Sequence, residues 1–271
     1  MKRRNISFTL LLILAMTIFL VACGGKTAND STESTTTTEA VGGGNTNNSE
    51  DIVNIGVTNV LSSINPLLQD GTEVVKYAQS LSFLPLVELN QSLGFEGQIA
   101  TSITTEDNKH FIINIDENAT WSDGEPITSK DVLFSFLNWA SPEVGVTGMS
   151  IHKIEGTGDD GYVEAGATEV SGIVALDEKT VEITTKSEMA LYSFENIFGR
   201  YILILPEHVL GDIPKSDLLT HEWFNAPSVV SGPYVIKDFD LNHYVTYEAN
   251  ENYFKGAPKI KNLNIKIVTP S

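Results

Sequence analysis

The sequence predicts an α/β protein, because strand-like and helix-like patterns follow one another along residues 51–271. Residues 52–57 alternate like a strand, and residues 74–81 place apolar side chains at helical spacing. A basic and apolar leader and a polar segment precede this region, which leaves about 220 residues for the folded body. That length is sufficient for one large domain or two small ones.

The N-terminus has the organisation of a secretory leader, with basic residues 2–4 followed by an apolar run up to residue 22. Residues 20–23, Leu-Val-Ala-Cys, resemble the lipobox of bacterial lipoproteins. The resemblance implies a signal peptide over residues 1–22 and a diacylglycerol on Cys23, which would attach the protein to the outer side of the cell membrane. A transmembrane anchor is the alternative, because the run is almost long enough to span a bilayer. We favour the lipobox, since the only Cys of the chain lies where cleavage requires it.

Residues 24–50 contain mainly Gly, Ser, Thr and Asn and almost nothing to bury. Such a segment cannot offset its ordering entropy, so residues 23–50 are predicted to form a lipid-anchored flexible tether. The formal net charge is −18, and because the leader carries three basic residues the mature chain is nearer −21. This charge disfavours binding to nucleic acid and docking of the folded body on anionic lipid.

The folded body is predicted as a succession of short elements. Asn65-Pro66 is a turn signal between the first strand and the first helix. Further extended segments are predicted at residues 84–89, 111–115, 181–184, 201–205, 234–239, 244–248 and 263–268, a helix at 191–198, and an acidic surface loop at 155–172.

Residues 120–136, TWSDGEPITSKDVLFSF, are the most informative stretch. Asp123-Gly124 predicts a tight turn, and Thr128 followed by Asp131 predicts a helix N-cap with a capping box. The apolar residues at 132, 133, 136 and 137 fall on one helical face, whose start Trp121 would cover. The pattern therefore predicts a structural corner of the fold and not an active-site loop.

No motif in the sequence argues for catalysis. Residues 156–161 match GxGxxG, but the central Asp pair would repel phosphate and no apolar helix follows, so an acidic loop is favoured. A calcium loop on Asp159, Asp160 and Glu164 is conceivable, although its spacing fits poorly. His221 begins an HExxH-like segment without the second His, and no GxSxG nucleophile motif is present. We predict a protein that is not an enzyme and that uses no metal or cofactor.

Several segments match a set of family motifs in the right order. Residues 121–132 match W-x-D-G-x-P-x-T-A-x-D-V, with Ser129 in place of Ala. The other matches are residues 64–66 to L-D-P, 172–181 to G-I-x-x-x-D-x-x-T-V, 205–210 to L-P-x-H-x-L, 231–234 to x-G-P-Y/F, and 252–258 to N-x-x-Y-x-x-G-x-P in shifted spacing. From about residue 52 to residue 268, the chain resembles the family 5 extracellular solute-binding proteins, which are the oligopeptide-, dipeptide- and nickel-binding subunits of bacterial ABC importers.

This resemblance implies a lobe of the periplasmic-binding-protein-like class II fold, with a mixed sheet and a smaller α+β subdomain. Lobe I would comprise residues 51–90 and 191–271, and the inserted subdomain residues 91–190. Family members are longer and close two lobes around the ligand by a hinge movement. We therefore expect the second ligand-binding lobe to be absent from this sequence.

The resemblance also implies that lobe I meets an extended peptide through main-chain hydrogen bonds. The implied contact residues are Thr72, Glu73 and Val74 at the edge of the lobe, and Ser231, Gly232 and Tyr234 on the floor of the cleft. Glu73 would face a cationic group of the ligand; alternatively it merely begins a helix, where the helix dipole favours an acidic residue. The residues that hold the peptide amino terminus would lie in the absent lobe.

The expected partners are a peptide or another small solute, the permease and ATPase subunits of the importer, and the membrane through the anchor on Cys23. We expect a monomer and no nucleic acid. Alternatives are a truncated lipoprotein that serves as a sensor or adhesion scaffold, a binder of nickel chelate, haem or another small solute, and an extracytoplasmic hydrolase. The hydrolase is disfavoured, because the sequence offers no nucleophile with a matching base.

Overall fold

The computed structural model describes residues 52–146 and 150–268. In chain order its strands and α-helices are β1 (Ile52–Val57), α1 (Glu73–Ser80), β2 (Val87–Leu89), β3 (Phe95–Gly97), β4 (Ala100–Thr104), β5 (His110–Ile115), α2 (Ser129–Ala140), β6 (Ile173–Ala175), β7 (Thr180–Thr184), α3 (Leu191–Phe194), α4 (Glu207–Leu210), β8 (Tyr234–Asp240), β9 (Tyr244–Ala249) and β10 (Asn262–Ile267). A π-helical turn at Glu195–Gly199 continues α3, and 3-10 turns occur at Ser150–Lys153, Lys215–Thr220 and Glu222–Asn225.

The predicted leader, the lipidation residue Cys23 and the tether lie outside the described residues. Within the ranges that are described, no helix combines the length and apolar character needed to cross a bilayer.

The strands form three sheets. The first sheet has four strands in the order β1-β10-β9-β8; it is mixed, because β1 runs parallel to β10 while the other pairs are antiparallel. The second sheet is the antiparallel pair β2 and β3. The third sheet has four antiparallel strands in the order β4-β5-β7-β6. The predicted α/β class with a mixed sheet is confirmed.

Helix α1 packs on one face of the first sheet. Its buried residues Val75 and Ala78 share a core cluster with Tyr247 of β9 and Ile265 of β10. The Tyr247 hydroxyl donates a hydrogen bond of 3.0 Å to the carbonyl oxygen of Ala78, so this buried tyrosine keeps a partner for its polar tip. The opposite side of α1, with Glu73 and Tyr77, faces solvent.

The larger core joins the third sheet to the helices α2 and α3. Phe111 of β5 stacks on Phe194 of α3 with ring centroids 4.0 Å apart. Phe198 is tilted against both Phe194 and Phe136 of α2, and these rings are fully buried. Aromatic side chains remove large apolar areas from water, so this cluster is a main source of stability for the fold.

Most predicted strands and helices agree with the structure to within about two residues at their ends, which is the usual uncertainty of such boundaries. The extended segment predicted at 201–205 forms no strand and contributes only an isolated bridge between Leu203 and Pro85. The short strands β3, β4 and β6 were not predicted. β3 and β6 have only three residues each, and β4 has few apolar residues. The first sheet uses strands from the two ends of the described chain, and the third sheet uses strands from between them. The predicted division at residues 90/91 and 190/191 stays a prediction.

Candidate functional site

The stretch that begins at Trp121 is a well-connected structural corner. Trp121 is fully buried, and Gly124 adopts the left-handed φ of 96° that the turn requires. The carboxylate of Asp131 accepts hydrogen bonds from the backbone N–H groups of Thr128 at 2.8 Å and of Glu207 at 2.9 Å. The predicted capping box is confirmed. Trp121 and Asp131 are both buried, so neither side chain is exposed for contact with a ligand.

The predicted ligand edge at Thr72, Glu73 and Val74 lies at the start of α1 and is accessible to solvent. Thr72 has an extended backbone, with φ −88° and ψ 139°, and makes no side-chain cap for the helix. Its hydroxyl instead donates a hydrogen bond of 2.7 Å to Asp70. The first amide groups of a helix have no intrahelical acceptor, and here Thr72 leaves the amides of Glu73 and Val74 without a side-chain cap.

A cluster of charged and phenolic side chains adjoins this edge. Its members, hereafter the charged cluster, are Glu73, Lys76 and Tyr77 from α1, Glu88 from β2, and Arg200 and Tyr201. Three separate chain segments thus meet through their side chains.

Arg200 is at the centre of the charged cluster. Its guanidinium Nε donates a hydrogen bond of 2.6 Å to Oε1 of Glu88, and Nη2 donates one of 2.6 Å to Oε2 of Glu73. Nη2 also donates to the hydroxyl of Tyr77 at 3.0 Å, and the guanidinium lies over the Tyr201 ring with its carbon 5.1 Å from the centroid. These contacts to a buried Arg side chain combine charge-assisted hydrogen bonds with cation–π contacts.

Lys76 forms the second buried cation of the charged cluster. Its ammonium group pairs with Oε2 of Glu88 and lies over the Tyr77 ring, 4.6 Å from the centroid. Burial and the nearby positive charge of Arg200 lower the pKa of Lys76 to about 7, while Glu73 opposes this change. Partial burial also raises the pKa of Glu73, but hydrogen bonds from Tyr201 and Arg200 outweigh it and lower this pKa overall.

An apolar groove of about 430 Å³ lies next to the charged cluster. Its lining includes Ile55, Val57 and Ile265 from the first sheet, Val74, Tyr77, Ala78 and Leu81 from α1 and the residue after it, and Leu84, Pro85, Glu88, Gln98, Pro233 and Tyr253. Tyr77 and Glu88 belong to both the groove and the charged cluster. The candidate site therefore combines an apolar wall, a charged end and the accessible start of α1.

The predicted floor residues occupy a different environment from the edge residues. Ser231 is fully buried, and its hydroxyl accepts a hydrogen bond of 2.8 Å from the backbone N–H of Leu84. A Cβ on Gly232 would collide with the carbonyl group of Leu81, so glycine permits this close approach. Tyr234 is buried, and its hydroxyl donates to the carbonyl of Ile260 at 3.2 Å. The structure thus does not bring these residues together with Thr72, Glu73 and Val74 on one accessible surface; their predicted ligand role stays a prediction.

No sequence pattern used above singled out Lys76, Glu88 or Arg200 as site residues. A usable signal existed, because Glu88 interrupts the apolar run LPLVEL and Arg200 interrupts FGRYILIL. Charged residues are rarely buried without a partner. An acidic and a basic residue that each interrupt an apolar run therefore predict a buried ion pair between them. Which charge meets which could not be read from sequence positions that are more than 100 residues apart.

The sequence pattern of the bacterial extracellular solute-binding proteins, family 5 Middle, matches residues 94–271. This chain belongs to family 5 of the bacterial extracellular solute-binding proteins. The predicted family resemblance is confirmed.

Known proteins of the family agree with this assignment. The chain is 25% identical to the oligopeptide-binding protein AppA of Bacillus subtilis over 275 residues, which cover 99% of this chain and 45% of AppA. A solved oligopeptide-binding protein of Borrelia burgdorferi superposes with a TM-score of 0.67 and 25% identity, over 80% of this chain and 43% of that one. NikZ of Campylobacter jejuni, solved with Ni(L-His), shares the fold with a TM-score of 0.62 and 23% identity, over 81% of this chain and 39% of NikZ. The family 5 chain thus spans less than half the length of each of these proteins.

Proposed function

We propose that this family 5 chain is the solute-binding component of an ABC importer and that it binds extended peptides. The observation that carries the proposal is family membership together with a relative, AppA, that is named as oligopeptide-binding. The start of α1 supports it, because Thr72 leaves the first amides of the helix uncapped next to an extended backbone. Peptide carbonyl groups are suitable acceptors for such amides, and main-chain recognition tolerates many side chains.

The apolar groove supports the proposal that this surface forms one wall of a peptide site. It lies directly beside Val74 and Tyr77, so a side chain of a peptide held at the start of α1 would have apolar surface within reach. Pockets of this kind, mainly apolar with a few polar groups, are typical of small-ligand sites.

Calorimetric titration of the full chain with trialanine tests the peptide proposal. Val74→Pro removes one amide donor in the first turn of α1, where this amide has no intrahelical acceptor, whereas Val74→Ala keeps the amide and shortens the same apolar side chain. We expect Val74→Pro to weaken binding by about ten-fold and Val74→Ala by less, since one hydrogen bond is lost in the first case only. Equal affinities of the two variants would contradict recognition through this amide.

The same titration separates the alternative functions. Heat without peptide cleavage supports a binding protein, and cleavage supports a hydrolase. Binding of Ni(L-His) without binding of trialanine would favour a metal-chelate binder, in line with the ligand named for NikZ. Absence of binding for both probes would favour a sensor or adhesion scaffold.

We further propose that Cys23 carries a lipid anchor and that the anchored monomer delivers its ligand to permease and ATPase subunits. The Leu-Val-Ala-Cys segment at residues 20–23 supports the anchor, and a diacyl group provides the two chains that stable membrane attachment needs. Cell fractionation of Cys23→Ala tests the anchor: we expect the protein to leave the membrane fraction, and retention there would contradict lipidation as the means of attachment.

A further inference from the structure

Both carboxylate oxygens of Glu73 are already engaged within the protein. Oε1 accepts a hydrogen bond of 2.6 Å from the hydroxyl of Tyr201, and Oε2 accepts one of 2.6 Å from Nη2 of Arg200. The Glu73 side chain is nevertheless 47% exposed. An acidic side chain on the candidate ligand edge is therefore accessible but not free of partners.

Arg200 cannot easily release Glu73, because other contacts hold the guanidinium in place. Its side chain is 5% exposed, and its Nε bonds to Glu88 at 2.6 Å on the inner side of the charged cluster. Lys76 occupies the other oxygen of Glu88. Rotating Arg200 towards solvent would leave Glu88 with one cation fewer and would break the hydrogen bond to Tyr77.

We propose that Arg200 and Tyr201 are positioning residues that mask Glu73, so that the ligand edge accepts uncharged peptide segments and does not select a positive charge. This inference rests on the proposed peptide-binding function and deepens it by assigning the ligand class preferred beside Glu73. It also decides between the two roles that the sequence left open for this residue.

The charges of the cluster explain the masking. Glu73 and Glu88 supply two carboxylates, Arg200 supplies a cation, and Lys76 supplies a second cation below its pKa of about 7. A ligand ammonium that approaches Glu73 also approaches the guanidinium of Arg200, whose repulsion offsets the attraction of the carboxylate. The lowered pKa of Glu73 agrees with a carboxylate that is stabilised from within the protein.

A ligand-free experiment tests the masking itself. Carbon-13 NMR follows the titration of the Glu73 carboxyl group in the full chain, with the signal assigned by its loss in Glu73→Gln. We expect the carboxyl group to titrate below the usual range for Glu, and to shift upward in Tyr201→Phe and in Arg200→Lys. Lys261→Gln, which removes the exposed partner of Glu251, is the matched control and should leave the Glu73 titration unchanged. An ordinary Glu73 titration that no variant moves would overturn the proposal.

A second experiment uses the peptides Ala-Ala-Ala and Ala-Lys-Ala as probes in calorimetric titrations. Because the charges of Glu73 and Arg200 offset each other, we expect the two dissociation constants of the wild type to agree within about two-fold. Tyr201→Phe removes one masking hydrogen bond and should shift the ratio towards the lysine peptide by about five-fold or more. A wild-type preference for Ala-Lys-Ala of about five-fold or more, with no further shift in Tyr201→Phe, would show that Glu73 already binds a cation and would overturn the proposal.

The two experiments fail separately. If neither peptide binds any variant, the proposed peptide-binding function is wrong, while the NMR titration still decides whether Glu73 is masked. If Arg200→Lys does not fold, Tyr201→Phe at the half-exposed end of the cluster still provides the upward shift or its absence.

Discussion

The corner at Trp121–Asp131 and the charged cluster both bury ionisable groups, but they use different partners to do so. In the corner, the carboxylate of Asp131 takes its hydrogen bonds from the backbone N–H groups of Thr128 and Glu207. In the charged cluster, Glu88 is held by the side chains of Lys76 and Arg200. Backbone donors carry no net charge and are fixed by the main chain. The side-chain partners carry charge, and a change of rotamer can move them away.

The difference leaves Asp131 as one ionisable group among uncharged donors, whereas the charged cluster couples several ionisable side chains. Burial raises the pKa of Asp131 in spite of its backbone donors. The charged cluster sets Arg200 and the partly protonated Lys76 against two carboxylates, so that removal of any one charge disturbs the others. Solvent reaches the cluster at Glu73 and Tyr77, whereas the side chains of Trp121 and Asp131 in the corner are buried.

The largest effect is expected in the corner. Trp121→Ala would leave a cavity where a fully buried indole packs, and the free energy of unfolding should fall by about 3–5 kcal/mol. Urea denaturation measures this loss. Trp223→Ala, at a half-buried Trp, is the control and should cost about 1–2 kcal/mol. Wild-type stability of Trp121→Ala with loss of peptide binding would instead make Trp121 a ligand residue.

Removal of the shared carboxylate tests the charged cluster. Glu88→Gln leaves Lys76 and Arg200 buried side by side without a negative charge between them, and we expect a loss of about 3 kcal/mol. In Glu251→Gln, the exposed pair with Lys261 is lost, and the cost should stay below about 1 kcal/mol. Chemical denaturation of both variants gives the comparison, and equal costs would show that the cluster behaves like an ordinary surface ion pair.

The pH dependence of stability next tests the buried lysine of the charged cluster. Because the pKa of Lys76 is lowered to about 7 in the folded protein, the unfolded chain binds more protons above pH 7, and stability rises with pH. Between pH 7 and pH 9 we expect this contribution to be about 1–2 kcal/mol. Urea denaturation of Lys76→Met should show a smaller increase over this range. Lys261→Met is the control, and an unchanged slope in Lys76→Met would contradict the assignment.

The smallest effect is expected at the helix cap. Thr128→Ala removes the side-chain oxygen that accepts a hydrogen bond of 3.3 Å from the N–H of Lys130, and should lower the free energy of unfolding by about 1 kcal/mol. Thr128→Ser keeps the hydroxyl and should lower the free energy of unfolding by only about a few tenths of a kcal/mol. Thermal unfolding of both variants checks the difference. If Thr128→Ala lowered the free energy of unfolding as much as Trp121→Ala, the cap would contribute far more than the loss of one exposed hydrogen bond explains.

Local patterns in the sequence predicted much of the fold. The alternation of β8 and β9, the helical spacing of α1 and the capping box at Thr128 and Asp131 all depend on residues a few positions apart. Such contacts are visible in a single sequence, because chain geometry brings near neighbours together. The short strands β4 and β6 carried little signal although each pairs with the next strand in the chain, because β4 has few apolar residues and β6 has only three residues.

By itself, the sequence determined the α/β class, the structural role of the Trp121 corner and the family, since each depends on local pattern or on an ordered set of short motifs. Only the tertiary structure decided that Ser231 and Tyr234 are buried, that a groove opens beside Val74, and that Arg200 reaches both Glu73 and Glu88. The physical reason is that side chains 112 and 127 residues apart meet through the packing of whole elements, and no local spacing encodes which charges that packing will bring into contact.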